Sequence, residues 1–140
     1  MKTLLPILIS LLAMTMDTSC SRNNVAPNAE PTKGSVTTQN VEQFQQTIEQ
    51  KSTLLIDVRT PKEFAEGHIA NAINIDVNQP DFGNNPTFGT AKKSKPIAVY
   101  CRSGKRSLKA TNILLEKGFT VYNLGGGILA WQQSGKPTIK

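Results

Sequence analysis

The chain is poor in the residues that build metal sites and disulfide frameworks. Its 140 residues contain two cysteines, one histidine and one tryptophan. Two cysteines cannot make the multi-bridge scaffold that holds small secreted domains together. One histidine, with no cluster of His, Cys, Asp or Glu at ligand spacing, argues against a metal site, and no cofactor is expected. The apolar run from Leu4 to Met14 is too short for a typical membrane-crossing helix. Acidic residues are outnumbered, 10 against 16 Lys and Arg, for a net charge of +6. The cations are nevertheless dispersed outside residues 101–106 and the Lys92-Lys93-Ser94-Lys95 cluster. Aromatics, only 6% of the chain, do not interleave with them, so a nucleic-acid partner is not expected. There is no internal repeat, and the length supports one domain once a leader is set aside.

The N-terminus has the form of an export signal. Met1-Lys2 is a short positive region, and Leu4 to Met14 is the apolar stretch behind it. Cys20 follows the small pair Thr18-Ser19 and resembles a lipoprotein cleavage site, where Cys20 becomes the lipidated first residue. Asp17 stands where an aliphatic residue is usual in that pattern. The alternative is ordinary signal cleavage near Ser19 to Ser21, releasing a soluble protein. The expected organisation is a lipoprotein-type signal peptide at 1–19, a flexible Asn- and Pro-rich tether at 20–34, and one domain at 35–140. An oxidising compartment would allow Cys20 and Cys101 to pair. If Cys20 is lipidated or removed, Cys101 is a lone thiol, and nucleophilic catalysis gives such a thiol a reason to exist.

Strand-like and helix-like segments alternate through the domain. Val36-Thr37-Thr38 suits a short strand. Asn40, with Gln43 three residues on, opens a helix through about Gln50 that carries Val41, Phe44 and Ile48 on one face. Thr53 to Val58 suits a strand buried on both faces. Thr60-Pro61-Lys62-Glu63 is a capping box with proline at the first helical position, and Gly67 ends that helix. Ala72 to Ile75 makes another strand, and Asp76 to Lys95 reads mainly as loop, with Phe82 and Phe88 to pin it. Pro96 to Tyr100 is a strand, Ser107 to Lys117 a helix, Thr120 to Leu124 a last strand and Ile128 to Gln133 a last helix. This alternation predicts an α/β domain with a mostly parallel sheet, in which ligands bind beyond the carboxyl ends of strands.

Cys101 stands at one such end. Three cations, Arg102, Lys105 and Arg106, follow it within five residues, around Ser103-Gly104, and Ser107 opens the next helix. Backbone N–H groups and positive side chains favour the thiolate, and the same cradle suits a small anion. The combination points to sulfur or phosphorus chemistry on an anionic substrate.

Six segments, in order, carry a resemblance: Leu55-Ile56-Asp57-Val58-Arg59, Glu63-Phe64, Gly67-His68-Ile69, Ala72-Ile73-Asn74-Ile75, Val99 to Ser107, and Gly125-Gly126-Gly127 with Trp131. From about Ser35 to Pro137 the chain resembles a single-domain rhodanese, and with its leader it looks like the exported, periplasmic members. The resemblance implies a rhodanese-like α/β fold, a central mostly parallel sheet of about five strands with helices on both faces. It implies that Cys101 takes a sulfane sulfur from an anionic donor such as thiosulfate and passes it, as a persulfide, to cyanide or a thiol. Amides from Arg102 to Arg106 would ring the outer sulfur. Arg102, Ser103, Gly104, Lys105, Arg106 and Ser107 would bind the persulfide and the anion. Related phosphatases have five residues between cysteine and arginine; Cys101 and Arg106 have four, which suits sulfur rather than a phosphoryl group.

Asp57 and Arg59 are expected at the rim in structural roles, Asp57 on loop amides and Arg59 paired with Glu63 or a neighbouring acid. His68 and Trp131 are expected in packing. Two readings from other classes stand beside the enzyme. One is a persulfide carrier acting through a protein acceptor with little turnover of thiosulfate. The other is an inactive anion-binding module, against which the intact Cys101 argues. A membrane is expected as partner only through the lipid anchor.

Overall fold

A computed structural model describes residues 34–140. The expectations for the signal peptide, for Cys20 and for the tether before Gly34 lie outside the described residues. Five strands form one sheet: β1 (Val36–Gln39), β2 (Leu54–Asp57), β3 (Ile73–Asn74), β4 (Ile97–Tyr100) and β5 (Val121–Leu124). Their order across the sheet is β1-β5-β4-β2-β3, and every strand pair is parallel. The helices are α1 (Val41–Ile48), α2 (Pro61–Glu66), α3 (Pro86–Thr90), α4 (Lys105–Glu116) and α5 (Gly127–Gln133).

The strand order explains why helices cover both faces. The chain steps one way across the sheet from β1 to β2 and the other way from β4 to β5. Crossovers between parallel strands are right-handed, so opposite steps put α1 and α4 on opposite faces. Two cores result. Ile97, Val99 and Val121 pack under α4 with Ala110, Leu114, Phe82 and Phe88. Ala98, Tyr100 and Leu124 pack on the other face with Val41, Phe44, Ile128 and Trp131. Burying a side chain such as Phe44, fully enclosed here, contributes about 1.5–3 kcal/mol. β4 is buried at all four positions because it is the central strand, covered on both faces.

The capping signals are where the sequence places them. Asn40 Oδ1 accepts from the Gln43 N–H at 2.9 Å, and Gln43 Oε1 accepts from the Asn40 N–H. Thr60 and Glu63 make the same reciprocal pair at the start of α2. Two expectations need refining. Residues 76–95 are mainly loop and turn, as expected, but they also hold a 3-10 turn, Phe82–Asn84, and α3. Asn85 caps α3 by accepting from the Thr87 N–H at 3.0 Å, with Pro86 at the first helical position. The surrounding Gly and Pro residues hid that start signal. Phe82 and Phe88 do pin the segment, edge to face at 5.2 Å. The second refinement is that α4 begins at Lys105, not Ser107. Gly104, with φ of 101°, takes the left-handed turn that ends the loop early.

Candidate functional site

Cys101 follows the last residue of β4, so the carboxyl end of the central strand delivers it to the foot of α4. Its side chain is almost fully enclosed, at 1% exposure, and it is a free cysteine. Sγ accepts the Gly104 N–H at 3.0 Å and lies 3.4 Å from the Ser107 hydroxyl. Ser107 Oγ is also 3.0 Å from the Gly104 carbonyl, which can only accept. The one hydroxyl proton therefore has two acceptors, and an ionised Sγ competes for it best. Burial raises the thiol's pKa. Hydrogen bonds from the Ser107 side chain and from the backbone of Ser107, Gly104 and Ser103 outweigh it, and the net shift is downward. The free N–H groups of the first turn of α4 act in the same direction.

A second backbone segment braces the loop from behind. The N–H groups of Ile128 and Leu129 donate to the carbonyls of Cys101 and Arg102 at 2.9 and 3.2 Å. Gly127 lets them approach. A Cβ there would fall 2.4 Å from the Arg102 carbonyl oxygen and 2.5 Å from that of Cys101, and its φ is +61°. Gly127 thus holds the loop in place. Its signal in the sequence was the triple glycine after the last strand, but the role could not be read until the loop lay against it.

None of the three cations hydrogen-bonds the sulfur. Arg106 is bound by Glu63 in a two-pronged pair, with both N–O distances 2.7 Å. Glu63 also accepts from the Thr60 N–H and hydroxyl, each at 3.0 Å. The Arg106 hydrogen bonds, helped by those from Thr60 and against the opposing effect of burial, hold the Glu63 carboxyl down at about 2. Arg102, Ser103 and Lys105 are exposed. Arg102 and Glu63 line a hollow of about 190 Å³ beside the loop.

Asp57 and Arg59 have structural positions, and Arg59 finds a neighbouring acid, as expected. Asp57 does not reach the amides of residues 101–107. Its carboxylate, fully buried, accepts the Arg59 backbone N–H at 2.9 Å and the Arg59 guanidinium at 2.6 Å. Arg59 pairs with this neighbouring acid rather than Glu63, which Arg106 already occupies, and donates to the Gly67 carbonyl at 2.7 Å. Its guanidinium also sits 5.7 Å from the Tyr100 ring centroid. The Tyr100 hydroxyl accepts from the Ile69 N–H, and burial pushes that phenol far above its usual range, so it stays neutral. His68 stacks on Phe64 at 3.7 Å, and its Nδ1 donates to the Phe64 carbonyl. Trp131 is buried and donates to the Pro137 carbonyl at 2.9 Å. Among the described residues, no three His, Cys, Asp or Glu side chains gather as a metal site would need.

Known proteins resemble this chain in sequence and in fold. Residues 40–134 match the rhodanese-like domain family. A sulfurtransferase of Allochromatium vinosum is 34% identical over 96 residues, covering 68% of this chain and 86% of that protein. Thiosulfate sulfurtransferase 16, chloroplastic, of Arabidopsis thaliana is 45% identical over 92 residues, 59% of this chain and 77% of its own length. Among solved structures, a rhodanese-related protein of Thermoplasma volcanium superposes with a TM-score of 0.63 at 29% identity, covering 73% of this chain and 96% of that one. The rhodanese-like domain of an Anabaena sp. protein gives 0.64 at 27% identity, over 73% and 77%. A thiol at the carboxyl end of the central strand, ringed by the first amides of the next helix, therefore comes with a match over most of the chain: the protein belongs to the rhodanese-like domain family.

Proposed function

We propose that the protein is a sulfurtransferase that carries sulfane sulfur on Cys101. One observation carries the reading: Sγ is enclosed at the foot of α4, where Gly104 and Ser107 hydrogen-bond it and lower its pKa. The sulfurtransferases of Allochromatium and Arabidopsis support it. The thiolate attacks the outer sulfur of a donor such as thiosulfate. A new S–S bond forms at Sγ, the donor's S–S bond breaks, and sulfite leaves with the electron pair. A thiol or cyanide then attacks the outer sulfur of the persulfide, and the Cys101 thiolate leaves. The first step needs no general base, which fits a His68 bound to the Phe64 carbonyl. Amides of the 102–106 loop hold the outer sulfur, and Arg102 and Lys105 draw the anion to the mouth.

The Glu63–Arg106 pair favours a second reading. It occupies the cation best placed to clamp an anionic donor, so thiosulfate must compete with Glu63 for Arg106. A persulfide donor on a partner protein needs no such clamp, and the domain then acts as a carrier. Intact mass after treatment with each donor tests both. Thiosulfate should add one sulfur atom to Cys101. Gain from a persulfide donor alone would favour the carrier, and gain from neither would overturn sulfur transfer.

The proposal extends to place. Residues 1–19 are a signal peptide, Cys20 carries lipid, and the tether holds the domain at a membrane outside the cytoplasm. The short apolar region and the cysteine behind it support this. Intact mass of the protein from the membrane fraction tests it, and a mature chain starting at unmodified Ser21 would sink it.

A further inference from the structure

Lysines that the sulfur site does not use gather at the opposite pole. The strands are parallel, so the segments that precede them share one end of the molecule. Lys51 precedes β2, Lys92, Lys93 and Lys95 precede β4, and Lys117 precedes β5; all of them are exposed. Two hollows open there. One, of about 390 Å³, is lined by Lys93 and Lys117, and the other, of about 370 Å³, by Lys51, Lys92 and Lys95. Ala91 lines both, so they adjoin. Lys93 is seated 3.4 Å above the Phe119 ring, and Lys117 donates to Asn84 at 3.3 Å. Glu49, after α1, and Glu116, at the end of α4, lie at this pole too and leave the lysines in excess.

The chain also enters the domain here. A Cβ on Gly34 would fall 2.1 Å from the Phe119 carbonyl oxygen, so the Gly34 backbone packs directly on a residue that lines the larger hollow. The part of the chain before Gly34 therefore joins the domain at the lysine end. Cys101 opens at the other end of β4, about 13 Å away at roughly 3.3 Å for each strand residue.

We propose that this lysine pole docks on the surface of an anionic phospholipid membrane, with the headgroup phosphates at the two hollows and Cys101 facing away. A planar surface suits five lysines drawn from three separate connections, and attraction acts within about a Debye length, roughly 8 Å at physiological salt. Nothing in it depends on sulfur transfer.

The test uses the mature chain from residue 20 with Cys20→Ala, so that neither signal peptide nor lipid is attached, floated with vesicles of phosphatidylcholine alone or mixed with phosphatidylglycerol. Binding should need phosphatidylglycerol and be released by salt. Lys51→Glu with Lys92→Glu and Lys95→Glu should weaken it by about tenfold or more. Lys62→Glu with Lys109→Glu and Lys140→Glu, the same change of charge elsewhere, should bind like the parent. If the first triple fails to fold, Lys51→Glu and Lys95→Glu alone should each lose about fivefold. Equal binding to both vesicle types, undiminished binding by the pole variants, or an equal loss in the control would overturn the proposal. Tighter binding to polyglutamate than to vesicles at the same salt would overturn it in favour of an acidic protein.

Discussion

A thiol with 1% of its surface exposed would ordinarily be a weak acid, because burial favours the neutral form. At Cys101 the hydrogen bonds of Ser107, Gly104 and Ser103 reverse that. Alkylation of Cys101 by iodoacetamide should therefore reach its plateau at a lower pH than for a free cysteine. Ser107→Ala should move that profile back upward, and an unmoved profile would remove Ser107 from thiolate stabilisation. Cys101→Ser should abolish thiocyanate production from thiosulfate and cyanide, and retained turnover would place the chemistry elsewhere. Asp57 and Arg59 answer to a different cost. Removing one member of a buried ion pair strands the other, so Asp57→Asn should cost about 3 kcal/mol in urea unfolding. Asp57→Asn with Arg59→Met should recover part of the loss.

The elements around the loop show how local signals and close approach divide the work. Capping at Asn40 and Thr60 was legible because each cap lies within three residues of its partner. The start of α4 was misplaced by two residues, because a left-handed glycine at 104 has no side chain to announce it. The bracing role of Gly127 was invisible for a related reason. It depends on carbonyls 25 and 26 positions earlier in the chain, those of Arg102 and Cys101. Gly127→Ala should destabilise the fold by at least about 2 kcal/mol, since it combines a left-handed backbone with a contact no neighbour can relieve. Thermal unfolding measures that loss, and a change below a few tenths would show that the loop yields there.

At the scale of the whole molecule, the Glu63–Arg106 pair ties the start of α2 to the first turn of α4 across 43 positions. Its pH dependence has a definite sign. The folded Glu63 carboxyl lies near 2, below its ordinary value of 4.5. The stability it lends is present above about 4.5 and is lost as pH falls toward 2. Both side chains are about a quarter exposed, so solvent screens the pair and its contribution is about 1 kcal/mol or less. Glu63→Gln should lower stability by that amount at pH 7 and leave it unchanged near pH 2, as denaturant titration at the two values would show. The same variant frees Arg106 and should lower the thiosulfate KM if thiosulfate is the donor.

The sequence by itself determined the alternation of strands and helices, the caps, the family and the thiol at the end of the central strand. Those rest on side chains within a few residues of one another, on hydrophobic period and on a four-residue spacing from Cys101 to Arg106. Only the tertiary structure decided which acid holds which arginine. Asp57, Glu63, Arg59 and Arg106 permit several pairings by charge alone, and the choice depends on which carboxylate the strand ends and helix starts bring within 3 Å. It also decided that the loop lysine and arginines divide between solvent and an ion pair. The parallel sheet set the lysines of three separate connections at the pole opposite Cys101, because side chains distant in sequence meet only when the strands between them are aligned.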